Sequence, residues 1–370
     1  LAASIGNRMH RSIPFALLAA SLLTACSTEL DINEPYKDIT IVYGLLNQKE
    51  SVHFVKVNKA FLGEGNALDM ALVRDSSEYS GEAISYAKVF RVNSSGAVLD
   101  SFPLLDTLVQ NREPGTFYAP VQKLFYFRTD SFTTIPASNL GTTMYLSQDD
   151  SYRLVLSVNG NTVKAETPIT NDFKVDPVDQ DTVANGARVG LRNTAGNSYS
   201  DYEFNWTSRA DCKRFVVEWR LRYDEVTGTD TVARSISQKI GSPKVSAFVN
   251  EDMAVRLAGE TFYSAVESQI KSQSGWENVD RRIFRGIDFV VSVANDDLHT
   301  YLTLTEPVTG IVNDRPAYSN LENAIGVWGS RYETITRGKR LSTQSFNELI
   351  DGNYTGDLRF CSPQDGFTCP

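Results

Sequence analysis

The clearest pattern along the chain is a two-residue period. Between Arg214 and Asp224, Phe215, Val217, Trp219, Leu221 and Tyr223 alternate with Val216, Glu218, Arg220, Arg222 and Asp224. Successive side chains of a strand point to opposite faces. The run therefore predicts an antiparallel strand with one face in a core and the other in water. The same period returns at 150–158, where Tyr152, Leu154, Leu156 and Val158 alternate with Arg153, Val155 and Ser157. Asn159-Gly160-Asn161 predicts a turn, with a return strand over 162–167. Shorter runs predict a hairpin of strands 39–46 and 51–62 across Asn47–Glu50, and another of 87–92 and 98–102 across Asn93-Ser94-Ser95-Gly96. Further strands are expected over 121–127, 202–207, 231–240 and 284–294.

The period changes at 258–271. Phe262, Val266 and Ile270 recur every four residues beside Tyr263, which predicts an amphipathic helix. Asn295-Asp296-Asp297 reads as the N-terminal cap of a short helix reaching Leu304, and 342–351 as a last one. Residues 63–81 are a polar loop with a helical turn near 68–72, and 272–280 a polar loop carrying Trp276. The expected fold is mainly β, with two immunoglobulin/fibronectin-like β-sandwich domains, the second with short helical insertions. The expected division is 37–169 for the N-terminal sandwich, 170–181 for a linker containing Pro177, and 182–370 for the C-terminal sandwich. Tyr152 stands where such sandwiches carry a corner-tying tyrosine, and Trp206 and Trp219 are expected in the second core.

Ahead of these elements lies a processing segment. Arg8 and Arg11 flank Met9, the expected start, and an apolar run follows from Ile13 to Leu23. A basic region, a short apolar region and small residues before a cut form a secretory signal, here 1–25. Leu23-Thr24-Ala25-Cys26 fills a lipobox, so the processed chain is expected to begin at Cys26 and carry lipid there. Residues 26–36 become a tether. The absence of an aspartate directly after Cys26 favours the outer membrane, and Glu29 and Asp31 favour the exposed side over the periplasmic one.

Charge and cysteines narrow the setting. The net charge is -9; loss of Arg8 and Arg11, with no acid before Cys26, makes it -11 for the processed chain. That balance argues against nucleic acid as a partner. Cys212, Cys361 and Cys369 remain beside the lipidated Cys26. An oxidising compartment favours a disulfide, with Cys361–Cys369 the preferred pair and Cys212 to either as the rival. Scattered cysteines without a neighbouring histidine predict no metal site.

Three stretches together resemble a known family. They are Glu29-Leu30-Asp31-Ile32-Asn33-Glu34-Pro35-Tyr36, Ile41-Val42-Tyr43-Gly44-Leu45-Leu46 and Ser319-Asn320-Leu321-Glu322-Asn323-Ala324-Ile325-Gly326-Val327-Trp328-Gly329. With the lipobox they look like the Bacteroidota lipoproteins grouped as domain of unknown function 4249. The late pattern of that family reads Asn-Ile-x-Gly-Gly-x-Gly-x-Phe-Gly. Asn320, Gly326 and Gly329 match it, Asn323 and Ala324 replace two glycines, and Trp328 replaces the phenylalanine. The resemblance implies two β-rich domains, an outer-membrane lipid anchor and association with TonB-dependent receptors. It carries no catalytic residue and no cofactor.

The residues themselves point to no reaction. The processed chain has two histidines, His53 and His299, and neither lies in a Gly-x-Ser-x-Gly or His-Glu-x-x-His setting. The leading expectation is a non-catalytic outer-membrane lipoprotein that binds a glycan, a peptide or a receptor. Trp276 and the 63–81 loop are its candidate contact points. The rival is an envelope hydrolase acting on glycan through paired carboxylates.

Overall fold

A computed structural model of the chain describes residues 39–60, 66–129, 144–176, 179, 188–306 and 318–369. The signal segment, Cys26, the tether and Pro177 lie outside the described residues. The described chain is mainly β, with several antiparallel sheets and no closed barrel.

The first half follows its alternation. β1 (Ile39–Leu46) and β2 (Val52–Ala60) form the opening hairpin, followed by the short helices α1 (Ala67–Ala71) and α2 (Arg74–Ser77). Then come β3 (Ile84–Val92), β4 (Val98–Pro103), β5 (Leu105–Val109), β6 (Gln122–Arg128), β7 (Ser151–Val158) and β8 (Asn161–Pro168). One sheet runs β1-β2-β6-β5 and another β4-β3-β7-β8. Val42, Val55 and Phe127 from the first join Val89, Leu154 and Leu156 from the second in one core. Tyr152 is buried in it, and its Oη accepts a hydrogen bond from the Ser147 amide at 3.1 Å. That bond ties the strand to the corner that precedes it.

The second half starts earlier than its composition suggests. β9 (Lys174–Val175) falls inside the expected linker, yet it pairs with β10 (Asp201–Thr207), and Phe173 and Val175 enter the second core. The described part of 170–181 is thus sheet and core, not a free connection. β11 (Arg214–Thr227), β12 (Asp230–Lys239), β13 (Lys244–Val245) and β14 (Asp252–Ala258) follow, then α3 (Gly259–Lys271), β15 (Arg281–Ala294) and α4 (Asp296–Thr305). β16 (Ile325–Lys339), α5 (Thr343–Asp351) and β17 (Phe360–Cys361) complete the chain. The alternating face of β11 is realised in full: Phe215, Val217, Trp219, Leu221 and Tyr223 are each at most 2% exposed. α3 seats Phe262, Val266 and Ile270 against that face, with the Phe262 ring 4.9 Å from Trp219. The Asn295 side chain caps α4 by accepting from the Leu298 amide, as its position predicts.

β16 joins the halves. Its first six residues pair in parallel with β1, Ile41 to Ile325 through Leu46 to Ser330. From Arg331 onward it pairs antiparallel with β15. Hydrogen bonding therefore continues through β12-β11-β15-β16-β1-β2-β6-β5. The cores exchange residues as well: Leu321 and Trp328 lie in the first, Met144 in the second. The expected boundary near 170 is thus crossed by one continuous sheet and by residues of both cores.

The 319–329 stretch builds this seam. Gly326 has φ +123°, and a Cβ there would sit 2.0 Å from the Val42 carbonyl oxygen, so only glycine lets β16 approach β1. Trp328 is fully buried over Gly44, where a Cβ would meet its ring at 2.4 Å. The Trp328 Nε1 donates to the Tyr152 carbonyl at 2.8 Å. Asn320 holds the Trp328 backbone from both sides, donating to its carbonyl at 2.7 Å and accepting from its amide at 3.0 Å. A buried polar cluster locks Ser330, two positions on. The Ser330 Oγ donates to the Pro168 carbonyl and accepts from the Thr170 amide, while Asn295 bridges the Ser330 amide and the Thr167 hydroxyl. Buried polar groups satisfied in this way add specificity to a junction that packing alone leaves free to slide.

Candidate functional site

The 63–81 loop, a candidate surface by sequence, borders a cleft of about 670 Å³. Its described lining includes Lys59 from β2, Arg74, Asp75 and Glu78 from and beside α2, Tyr79, and Lys123 from β6. Glu78 is committed: Oε2 accepts from the Arg74 Nε at 2.6 Å and Oε1 from the Lys123 amide at 2.9 Å. The Lys59 ammonium stands 5.9 Å over the Tyr79 ring, and the Lys123 ammonium lies 3.4 Å from Asp106. The arrangement lines the cleft with cations, while the Tyr79 hydroxyl is already bonded to the Thr40 hydroxyl at 3.0 Å. Among the described residues its lining includes Ser80 but no histidine. A second cleft, about 370 Å³, lies on the β10–β14 sheet and is lined by Asp176, Asn205, Thr207 and Asp252.

Trp276 occupies a turn after α3 and is half-buried against the second core. Its carbonyl accepts from the Arg282 Nη2 at 2.8 Å, and the Lys271 ammonium stands 5.4 Å over its ring. Arg282 is only 1% exposed and also reaches the Leu358 carbonyl and Glu225. Trp276 is therefore part of the wall around a buried guanidinium, and packing accounts for its position.

The two histidines are kept apart, in β2 and α4. His53 is 1% exposed, 4.8 Å from the Phe127 ring, and shares a hydrogen bond with the Thr129 hydroxyl at 3.2 Å. Burial pushes its pKa down to about 4, so the ring is neutral at pH 7. His299 is held below the ordinary imidazole range by burial and then by the Arg214 guanidinium; its Nδ1 meets the Thr303 hydroxyl. Among the described residues neither has the nucleophile on one side and the carboxylate on the other that a triad requires.

The buried acids are compensated one by one. Asp288 is 2.9 Å from Arg222 and accepts from the Gly338 amide. Asp179 accepts from the Tyr202 hydroxyl and the Asn205 amide and faces the buried Lys339. Burial alone would raise the Asp365 carboxyl, but hydrogen bonds from Arg340, Ser362 and Arg188 bring it below the usual carboxylate range. A charged group is tolerated inside a protein when paired in this manner. Among the described residues no group of three His, Cys, Asp or Glu is placed to hold a metal.

Cys361 and Cys369 form a disulfide, with Cα atoms 5.1 Å apart. Cys212 is a buried free thiol, pushed up to about 12 by burial, and donates to the Asn171 carbonyl. No described helix is long and apolar enough to cross a membrane.

No protein-family model and no curated protein matches the chain. Among solved structures, a chain of a "Cytokine receptor complex - Crystal form 1A" is similar, at 10% identity over 82% of this chain and 99% of that one. Its TM-score of 0.20 is too low to support any argument about fold or role.

Proposed function

We propose that this chain is a non-catalytic lipoprotein, held by lipid on Cys26 to the exposed side of an outer membrane. There it serves as a binding or accessory component of a receptor of the TonB-dependent kind. The observation that carries the reading is Leu23-Thr24-Ala25-Cys26 behind a basic and apolar leader. The likeness of the 319–329 motif to the Bacteroidota lipoproteins supports it. We also read each half as an immunoglobulin/fibronectin-like sandwich, the two sharing β16. The core common to the β1-β2-β6-β5 and β4-β3-β7-β8 sheets, and the corner bond of Tyr152, support that finer description. In this reading the cleft beside α2 receives the polar part of a glycan or peptide.

Two measurements test the proposal. Metabolic labelling with a fatty-acid analogue should mark the native chain and not Cys26→Ser. Affinity capture from native membranes should bring down an outer-membrane receptor with the lipidated chain. Labelling that survives Cys26→Ser, or a chain that fractionates with soluble protein, would sink the anchor; capture without a receptor would sink the accessory role.

A further inference from the structure

One sheet face has the wrong chemistry for water. The β1-β2-β6-β5 sheet buries Val42, Val55, Phe125 and Phe127 on one side. On the other, Phe54, Tyr126 and Leu105 stand directly opposite one another on successive strands. The rings of Phe54 and Tyr126 are 6.3 Å apart, and Tyr43 on β1, whose hydroxyl meets Tyr301 of α4, stands at the edge of the patch. Phe54 is 48% exposed, Leu105 52% and Tyr43 40%. A solvated sheet face normally alternates to polar side chains, and contiguous apolar surface marks contact with something else.

The charge on this face is as unusual. Its outward positions on β1, β2, β5 and β6 carry Lys56 and Arg128 but no aspartate or glutamate. The chain as a whole has 45 acids to 36 Lys and Arg. Asp106, on β5, stands opposite the inward Phe125 and so belongs to the other side.

We infer that this face lies against the lipid bilayer. The inference rests on the anchor proposed above and adds an orientation to it. Thirteen residue steps separate Cys26 from Ile39, at most about 45 Å of extended chain. The tether enters the fold at β1, a strand of this same sheet, so the face stays within reach of the surface. Tyrosine and phenylalanine beside lysine and arginine is the composition of a protein surface at the headgroup layer, where rings sit at the boundary and cations meet phosphate. A two-fold contact between copies is less suited to it, because a symmetric interface sets Lys56 and Arg128 against a second set of cations.

The test uses the processed chain coupled through its Cys26 thiol to a maleimide lipid, since Cys212 is buried and the other cysteines are paired. The chain is placed on vesicles of phosphatidylethanolamine and phosphatidylglycerol whose acyl chains are brominated near the headgroup. Phe54→Trp adds a fluorophore to the face, and Leu99→Trp adds one to an exposed site on the other sheet. The Phe54→Trp chain should lose most of its added emission on brominated vesicles, and the Leu99→Trp chain none. Added emission from Phe54→Trp that is unchanged by bromine overturns the orientation, whether a second copy then cross-links across the face or the face stays in water. Chemical coupling separates this result from natural lipidation: an unlabelled Cys26 in cells defeats the anchor and leaves the vesicle result readable.

Discussion

The contact between Gly44 and Trp328 makes a sharp prediction, because each residue comes from a different half of the chain. A Cβ on Gly44 would lie 2.4 and 2.5 Å from two ring atoms of Trp328, with its next neighbour, a Val55 methyl, at an ordinary 3.7 Å. Gly44→Ala should therefore cost about 1–3 kcal/mol through overpacking against that ring. Trp328→Ala should cost about 3–5 kcal/mol for a fully buried indole. The Tyr152 carbonyl, deprived of its Nε1 partner, adds about 1 kcal/mol. In the double variant the clash is gone and the new methyl fills part of the cavity, recovering about 0.8 kcal/mol. The two substitutions should then couple by about 2–4 kcal/mol, with Gly44→Ala harmful alone and mildly helpful beside Trp328→Ala. Urea denaturation followed by far-UV circular dichroism, on Cys26→Ser chains without the signal segment, reads all four corners of the cycle. Additive costs would refute the reasoning, since they would mean that Gly44 is required for something other than the ring.

Gly326→Ala should be worse than Gly44→Ala and should not be rescued by Trp328→Ala, because its Cβ meets the Val42 backbone and its φ of +123° disfavours any side chain; the same denaturation series decides it. Replacing both Cys361 and Cys369 by serine opens an eight-residue separation and should cost about 2.5 kcal/mol, measured as a lower midpoint against the oxidised parent. His53 predicts a pH dependence. Its folded pKa of about 4 lies below the ordinary 6.5, so between these values the unfolded chain binds the proton and the folded one does not. Stability should fall as pH drops through that window, by up to about 3 kcal/mol from this group, and be unaffected by it above the upper value. Midpoints for the parent and His53→Asn, taken across pH 4.5 to 7.5, should differ in slope; equal slopes would show that His53 does not contribute (the range is roughly the window of an imidazole).

The clefts and buried charges were the least legible parts. Lys339 and Arg282 are 0% and 1% exposed, positions that residue type alone would place in water. They are buried because Asp179 and Glu225 arrive from elsewhere in the fold to meet them. The 63–81 loop was visible as polar chain, but the cleft exists only because Lys59 and Lys123 come from two other strands. Trp276 stood out as an aromatic in a polar loop; only the packing around Arg282 shows what it covers. The outward face of β1 did leave a signal. Ile39-Thr40-Ile41-Val42-Tyr43-Gly44-Leu45-Leu46 is apolar on both faces, which a strand wet on one side does not need.

By itself the sequence determined the strands with an unbroken alternation and which side of those strands is buried. Period two and period 3.6 are local properties, set by backbone geometry within a few residues. β7, β11 and α3 were legible for that reason, while β5 was not, because Leu105-Asp106-Thr107-Leu108-Val109 is too short to establish an alternation. The tertiary structure alone decided partnership. β1 and β16 lie nearly three hundred residues apart, and no local pattern records that Gly326 must let one backbone approach the other. Their pairing is selected by the fit of Trp328 over Gly44 and by the polar cluster at Ser330, which form only when both halves are present. The division near residue 170 followed the end of the Tyr152 strand pair and the stretch with Pro177 after it, both local signals; hydrogen-bonded edges follow shape, and β16 carries them across.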